Sequence, residues 1–386
     1  MKKKFISMAV AFAAVTISAN AQSYIMQIHK TDGSTVTVDA DDVEKVTFAE
    51  KPYEFETVPT GTDLTTWFTE NADVFSNNKV VNIPLAADGQ YTMSGSIDFV
   101  GTQVSLYTVD AASPATVTMT ADASVQTSTG LDISNVNFDC SASQATFIKL
   151  SETPDESIMG VISGEQNYYD IQQPLSLKGC NITGVNSYFI HDSKVKYCVG
   201  KAVISDCVVQ LTGTTAVIRF ETGYINDLTI ENSTFWGIDG ADASYFVQYN
   251  NSGRCDRGGY ESNSITYANC TFYNVANSGQ WGNYNGFAGR NTSYWNMTNC
   301  IFVDCGNNQV PRRYLGGRLN CDNRNFLNNT YMYDGAFESV TGYDDSGTAI
   351  EADPGFKDAV NGDFTVSGEQ QIAKRTGDPR WLPEAE

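Results

Sequence analysis

The sequence predicts an all-β chain, a single-stranded right-handed parallel β-helix (a solenoid) with a small N-terminal hairpin module and a capping helix. Three observations carry this expectation. One pattern of eight positions (apolar, any, apolar, any, turn residue, small residue, any, apolar) recurs seven times. Each half of it alternates with period two, as a strand with one buried face does. The joint between the halves is always Asn, Asp or Gly, the residues that tolerate a left-handed backbone.

The copies are Leu131-Ile133-Val136-Phe138, Leu175-Leu177-Cys180-Ile182, Ala202-Ile204-Cys207-Val209, Leu228-Ile230-Ser233-Phe235, Ile265-Tyr267-Cys270-Phe272, Trp295-Met297-Cys300-Phe302 and Arg324-Phe326-Asn329-Tyr331. The last departs at Arg324 and Asn329, as a terminal repeat does. The joints are Asn135, Gly179, Asp206, Asn232, Asn269, Asn299 and Asn328, which predicts one file of stacked corners. Small-residue positions are spaced 44, 27, 26, 37, 30 and 29, suiting one coil each with insertions in the loops. Parallel crossovers are overwhelmingly right-handed, which sets the expected hand.

In chain order, residues 1–21 have the three parts of an export signal. Lys2 to Lys4 are followed by the apolar run Phe5 to Ile17, too short to span a bilayer, and by Ala19-Asn20-Ala21 as a cleavage site. The chain is therefore expected outside the cytoplasm, in the periplasm, at the cell surface or beyond it, with no transmembrane segment. Residues 22–50 form a hairpin module: Tyr24–Ile28 and Thr35–Val38 flank Asp32-Gly33, with Val43 to Phe48 as a further apolar edge. It either docks a surface protein partner or merely caps the start of the solenoid. Residues 51–79 supply a linker to Thr62, then a short helix over Asp63–Asn71 placing Leu64, Trp67 and Phe68 on one side to cover an open solenoid end. Residues 80–386 are the β-helix, with two or more early coils from Val80 to Val117. Gly-Asp-Pro-Arg-Trp (377–381) and earlier turns are expected to lock the last coil.

The coil signature with its Asn corner resembles the pectin-lyase-like β-helix superfamily. The segment Ile28-His29-Lys30-Thr31-Asp32-Gly33 and the Gly-Asp-Pro-Arg-Trp ending resemble secreted β-helix domains of unknown function from polysaccharide-using Gram-negative bacteria. The resemblance covers nearly the whole mature chain and speaks for fold more than for activity. It implies polysaccharide chemistry, with lyases that use a Lys or Arg base and Ca²⁺ on acidic side chains.

Composition narrows the partners. The chain has 24 Lys+Arg against 45 Asp+Glu, net −21, which opposes binding to nucleic acid. Residues 22–170 carry five basic against 22 acidic residues, whereas all ten arginines follow Ile218. Arg290, Arg312, Arg313 and Arg318 share a stretch with Trp281, Tyr284 and Tyr314. Guanidinium forks pair with carboxylates and aromatic faces stack on sugars, so these seven residues are the expected binding strip for an acidic polysaccharide. The competing reading is that the arginines only neutralise neighbouring acids.

Exported β-helix binding of an acidic glycan, in its uptake or degradation, is thus the expected function. The first alternative is a lyase acting by β-elimination on a uronic-acid polymer, with base candidates Lys194, Lys196, Arg219 and Arg290 and with Asp192 and Glu221 as candidate Ca²⁺ ligands. The second is a structural or adhesive surface protein. A hydrolase is disfavoured because Asp344-Asp345 lacks the companion Gly-His-Gly and Arg-x-Lys segments. Zinc and a Ser/His/Asp triad have only His29 and His191 to draw on. The inward cysteine column is read as small apolar filler, since stacked β-carbons sit too far apart for disulfides.

Overall fold

The computed structural model describes residues 25–30, 32–43, 51–162, 166–213, 215–250, 260–284, 292–315, 323–337 and 343–384. The expected export signal, Arg290 and Arg318 lie outside these. Two compact units are present, Met1–Glu50 and Lys51–Glu386. In the first, Ile25–His29 pairs antiparallel with Thr35–Asp39 around Gly33, whose φ of 84° only glycine adopts freely. Most of the apolar edge expected at Val43 to Phe48 lies outside the described residues.

In the second unit the chain passes through three long sheets in turn, one strand in each, and one such passage is a coil. The first sheet stacks Tyr53–Glu54, Val80–Leu85, Gln103–Thr108, Leu131–Ser134 and so on to Arg324–Leu327; the second runs from Gln90–Met93 to Thr330–Met332. The third comprises Ile97–Phe99, Val125–Thr127, Ile148–Leu150, Ile190–His191, Ile218–Phe220, Tyr245–Tyr249 and Gln280–Asn283. Pairs between successive coils are parallel, a topology compatible with a β-helix or solenoid.

The register follows the sequence repeat. Leu131, Leu175, Ala202, Leu228, Ile265, Trp295 and Arg324 are successive partners in the first sheet. Phe138, Ile182, Val209, Phe235, Phe272, Phe302 and Tyr331 are successive partners in the second. Stacked rings of Phe272, Phe302 and Tyr331, with centroids 5.0 and 5.5 Å apart, fill the interior. Between these sheets all seven joint residues have φ between 47° and 63°. Their side chains form a ladder: Asn269 Nδ2 donates to Asn232 Oδ1, Asn299 to Asn269 and Asn328 to Asn299, at 3.1–3.2 Å. The Asn-x-Ser/Thr sequences at Asn232 and Asn269 belong to this ladder.

The small-residue column does more than fill space. Cys207, Cys270 and Cys300 direct their thiols to the carbonyls of Ser205, Ala268 and Thr298 at 3.1–3.3 Å, and Ser233 does the same to Glu231. Each adds a second donor to a corner carbonyl two residues back that already accepts the backbone N–H of a joint residue in the adjacent coil. Asn329, fully buried, accepts from Cys300 N and donates to Met297 O. The seven described cysteines are buried and free.

Three expectations change. Residues 51–62 are no linker, because Tyr53–Glu54 pairs with Val81–Asn82, and Phe55 N and Val58 N donate to Asn82 O and Pro84 O. The expected helix is α1 (Leu64–Glu70), capped by Asp63, and a second helix α2 (Ala72–Asn77) follows it. Leu64 is buried and Phe68 meets Phe99 at 5.1 Å. Finally, the C-terminal segment does not just close the last coil. It crosses the outer face of the second sheet, where Phe364 packs on Trp236 and Tyr273, and Val366 and Leu382 cover Ile301 and Val303.

Candidate functional site

The third sheet places one polar residue per coil in register, Asp98, Gln126, Lys149, His191, Arg219, Gln248 and Asn283, of which His191 and Gln248 are buried and the others part-exposed. All are polar, and their neighbours on either side in the strands point inward. Ile148, Ile190 and Ile218 precede them, and Leu150 and Phe220 follow. Strands stack ~4.8 Å apart, so this row presents a new polar side chain at that interval along the axis.

The centre of the row is charged. Glu221 Oε1 lies 3.5 Å from His191 Nε2, 3.6 Å from Arg219 Nε and 3.9 Å from Lys194 Nζ. These separations are long for hydrogen bonds, and His191 Nε2 and Arg219 Nε have no hydrogen-bond acceptor among the described residues. Tyr188 lies beside them, stacked on His191 at 4.5 Å and 13°, with the Arg219 guanidinium 5.9 Å above its ring. His191 Nδ1 accepts from Ser193 N at 3.0 Å, so in the neutral ring Nε2 carries the proton. Burial lowers the His191 pKa, outweighing the pull of Asp192 and Glu221. Both ring nitrogens are thus engaged or protonated, and His191 is not set up as a general base.

Asp192 has a structural task. It is fully buried, its Oδ1 accepting from Lys194 N and its Oδ2 from Thr222 N and Gly223 N, which ties adjacent coils together. These bonds hold Ser193 and Lys194 at φ of 54° and 63°, an uncommon conformation for such residues, and present Lys194 to solvent. The expectation that Asp192 and Glu221 bind Ca²⁺ does not fit: the first is saturated by protein donors, the second surrounded by cationic groups. Among the described residues, no cluster of three or more His, Cys, Asp or Glu side chains could hold a metal. Lys196 stands apart, just before the first-sheet strand Tyr197–Ser205, where its carbonyl accepts from Tyr169 N.

The predicted aromatic strip is corrected. Trp281, Tyr284 and Tyr314 are all 0% exposed. Trp281 stacks on Phe246 at 4.4 Å, and Tyr314 donates to Asn296 O and Ile265 O inside the coil. Their faces are used by the core. The half-buried aromatic beside the polar row is instead Tyr188, while Tyr245, also half-buried, begins its strand away from the row. Arg312 is exposed over the Tyr343 ring, and Arg313 lines a separate cleft.

That cleft arises because, among the described residues, the sixth repeat has no third-sheet strand. After Ile301–Val303 the chain forms α3 (Val310–Tyr314), which sits beside Gln280–Asn283 where the next strand would pair. The cleft, about 410 Å³, is lined by Asp242, Ser244, Tyr245, Ser278, Gln280, Asn307, Gln309, Arg313 and two glycines.

Comparison with known families adds a division of the chain. Residues 89–238 match DUF4957, a domain of unknown function, and residues 264–381 match a second, DUF5123. No curated protein matches the chain. The two matched regions meet inside continuous sheets, since Leu228 and Ile230 of the first pair with Ile265 and Tyr267 of the second. The end of the second is fastened to the first: Asp378 Oδ2 accepts from Thr234 Oγ1, and Trp381 Nε1 donates to the same hydroxyl, both at 2.8 Å. Among the described residues no helix is long and apolar enough to cross a membrane.

Sequence reading missed His191, Lys149, Gln248, Tyr188 and Tyr245 as site residues. The third-sheet strands are only two to five residues long, too short to display an alternating pattern. The signal was present in register, as an apolar residue followed by a polar one at Ile148-Lys149, Ile190-His191, Ile218-Arg219 and Val247-Gln248.

Proposed function

We propose that this is an exported, right-handed parallel β-helix of the pectin-lyase-like kind, whose open end α1 covers, and that it binds an acidic polysaccharide along the outer face of its third sheet. The observation that carries the reading is the row of polar side chains in register, with Arg219 and Lys194 at its centre and the Tyr188 face beside it. A linear polymer laid along the axis meets exposed polar groups from several successive coils. Arg219 and Lys194 supply charge-assisted hydrogen bonds to sugar carboxylates, Lys149 being paired with Glu152, and Tyr188 supplies a stacking face. The acid-rich N-terminal half repels the same polymer, which keeps binding toward the arginine-bearing coils.

Binding is favoured over β-elimination by the state of the candidate groups. His191 has no available lone pair, Arg219 is held between Tyr188 and Glu221, and neither Asp192 nor Glu221 is free to hold a cation. Gel retardation by pectate, alginate and glycosaminoglycans tests the reading, with a neutral glucan as control. Loss of one charge-assisted hydrogen bond, about 1.5–3 kcal/mol, weakens affinity about tenfold or more, so Arg219→Ala should abolish most retardation. Added salt should weaken the wild type. Migration of the wild type unaffected by every acidic polymer would overturn the proposal. Ultraviolet absorbance from unsaturated uronate ends would show cleavage and restore the lyase alternative.

A further inference from the structure

We infer that the cleft walled by α3 is a separate pocket for a single uronate sugar, either a chain end or the free monosaccharide. The inference rests on the glycan-binding reading of the third sheet and adds to it a second site, a half-open cleft. The cleft sits at the starts of the strands Tyr245–Tyr249 and Gln280–Asn283, whereas the polar row crosses them at Gln248 and Asn283. Three residues separate the two positions, roughly 10 Å along a strand. The cleft is therefore not a continuation of the row.

Its lining has the chemistry of a sugar site. About 410 Å³ falls within the range of small-molecule pockets. Ser244, Ser278, Gln280, Asn307 and Gln309 offer neutral donors and acceptors suited to hydroxyl groups, and Tyr245 offers one ring. The cationic group is Arg313, half-buried and without an ion pair among the described residues. A guanidinium fork matches a carboxylate bidentately. The one acid, Asp242, is already occupied: its two oxygens accept from Ser278 N and Ser278 Oγ, which orients Ser278 at the rim and blunts repulsion of an anion.

The backbone is shaped for the cavity as well. Asp304, Gly306, Asn307 and Asn308 all have φ between 51° and 57°, three of them non-glycine residues in a sparsely populated region. This tight path lets the chain leave the second sheet and turn into α3 rather than pair as a third-sheet strand. At Gly279 a β-carbon would come 2.5 Å from Ala243 O, so the floor of the cleft needs glycine there.

Isothermal titration of the full chain with D-galacturonate, D-glucuronate and their short oligomers tests the pocket. The wild type should bind at least one uronate saturably. Arg313→Ala should weaken that binding at least tenfold and Arg313→Lys less, with circular dichroism confirming that each variant is folded. Oligomers that compete per chain indicate end recognition, and competition by the monosaccharide alone indicates a free-sugar site; both uphold the pocket. Absence of binding to every uronate, or equal affinity in wild type and Arg313→Ala, would overturn it. Loss of polymer retardation with monosaccharide binding intact would remove the third-sheet reading and leave the pocket standing.

Discussion

A single asparagine at the corner solves two problems at once. Its backbone takes a φ near 50° that most residues reach only at a cost of ~1–2 kcal/mol. Its side chain then spends both donor and acceptor on the asparagines above and below. At Gly179 the conformational requirement is met without the amide, so the two contributions separate by mutation. Asn269→Ala should lose both, destabilising the chain by about 2–4 kcal/mol in urea unfolding, while Asn269→Gly should lose mainly the ladder bonds and cost about half as much. Equal costs for the two variants would mean the backbone requirement is not what selects Asn. Asp378 makes a different residue-scale case. Burial raises its pKa from 3.8 to about 6, against the opposing effect of Arg380 3.2 Å away. The folded state therefore holds the proton more tightly than the unfolded chain does. Stability from this group is complete below about pH 3.8 and is lost as pH rises through about 6, an effect of about 3 kcal/mol. Relative to Asp378→Asn, the wild type should become progressively less stable between pH 4 and pH 7; a constant difference would refute the assignment.

Elements differ in how plainly the sequence declares them. The first and second sheets were legible because each coil gives them an alternating pair of inward residues on both sides of a fixed corner. The third sheet was not, because its strands are short and its one polar residue per coil varies from Lys149 to His191 to Arg219 to Gln248. Trp281, Tyr284 and Tyr314 misled for a related reason. Composition places them beside arginines, but only register shows that the coil turns their rings inward, where Trp281 meets Phe246, Phe272 and Phe302. The C-terminal segment was recognised as turns, but nothing local in Gly377-Asp378-Pro379-Arg380-Trp381 announces that it reaches back 144 residues to Thr234. The 44-residue spacing, by contrast, was read correctly as an insertion. It contains the hairpin Met159–Ile162 with Gln166–Ile171, whose second strand joins the first sheet beside Tyr197–Val199.

Across the body of the chain from Lys51 onward, the two matched families behave as one stack. Their shared sheets and the clasp of Asp378 and Trp381 on Thr234 make separate folding of either half an unfavourable event, since each would expose a coil end. The uneven charge gives this body a polarity, acidic toward the early coils and richer in arginine toward the late ones. The polar row crosses from one region to the other, and α3 ends the third sheet at the arginine-rich side. A crystal structure of the protein with a bound oligouronate tests most directly whether an acidic glycan lies on that third-sheet face. Sugar density along Lys149, His191, Arg219 and Gln248, with a carboxylate within hydrogen-bonding reach of the Arg219 guanidinium, is the predicted result; sugar bound to the first or second sheet, with that row bare, would contradict it.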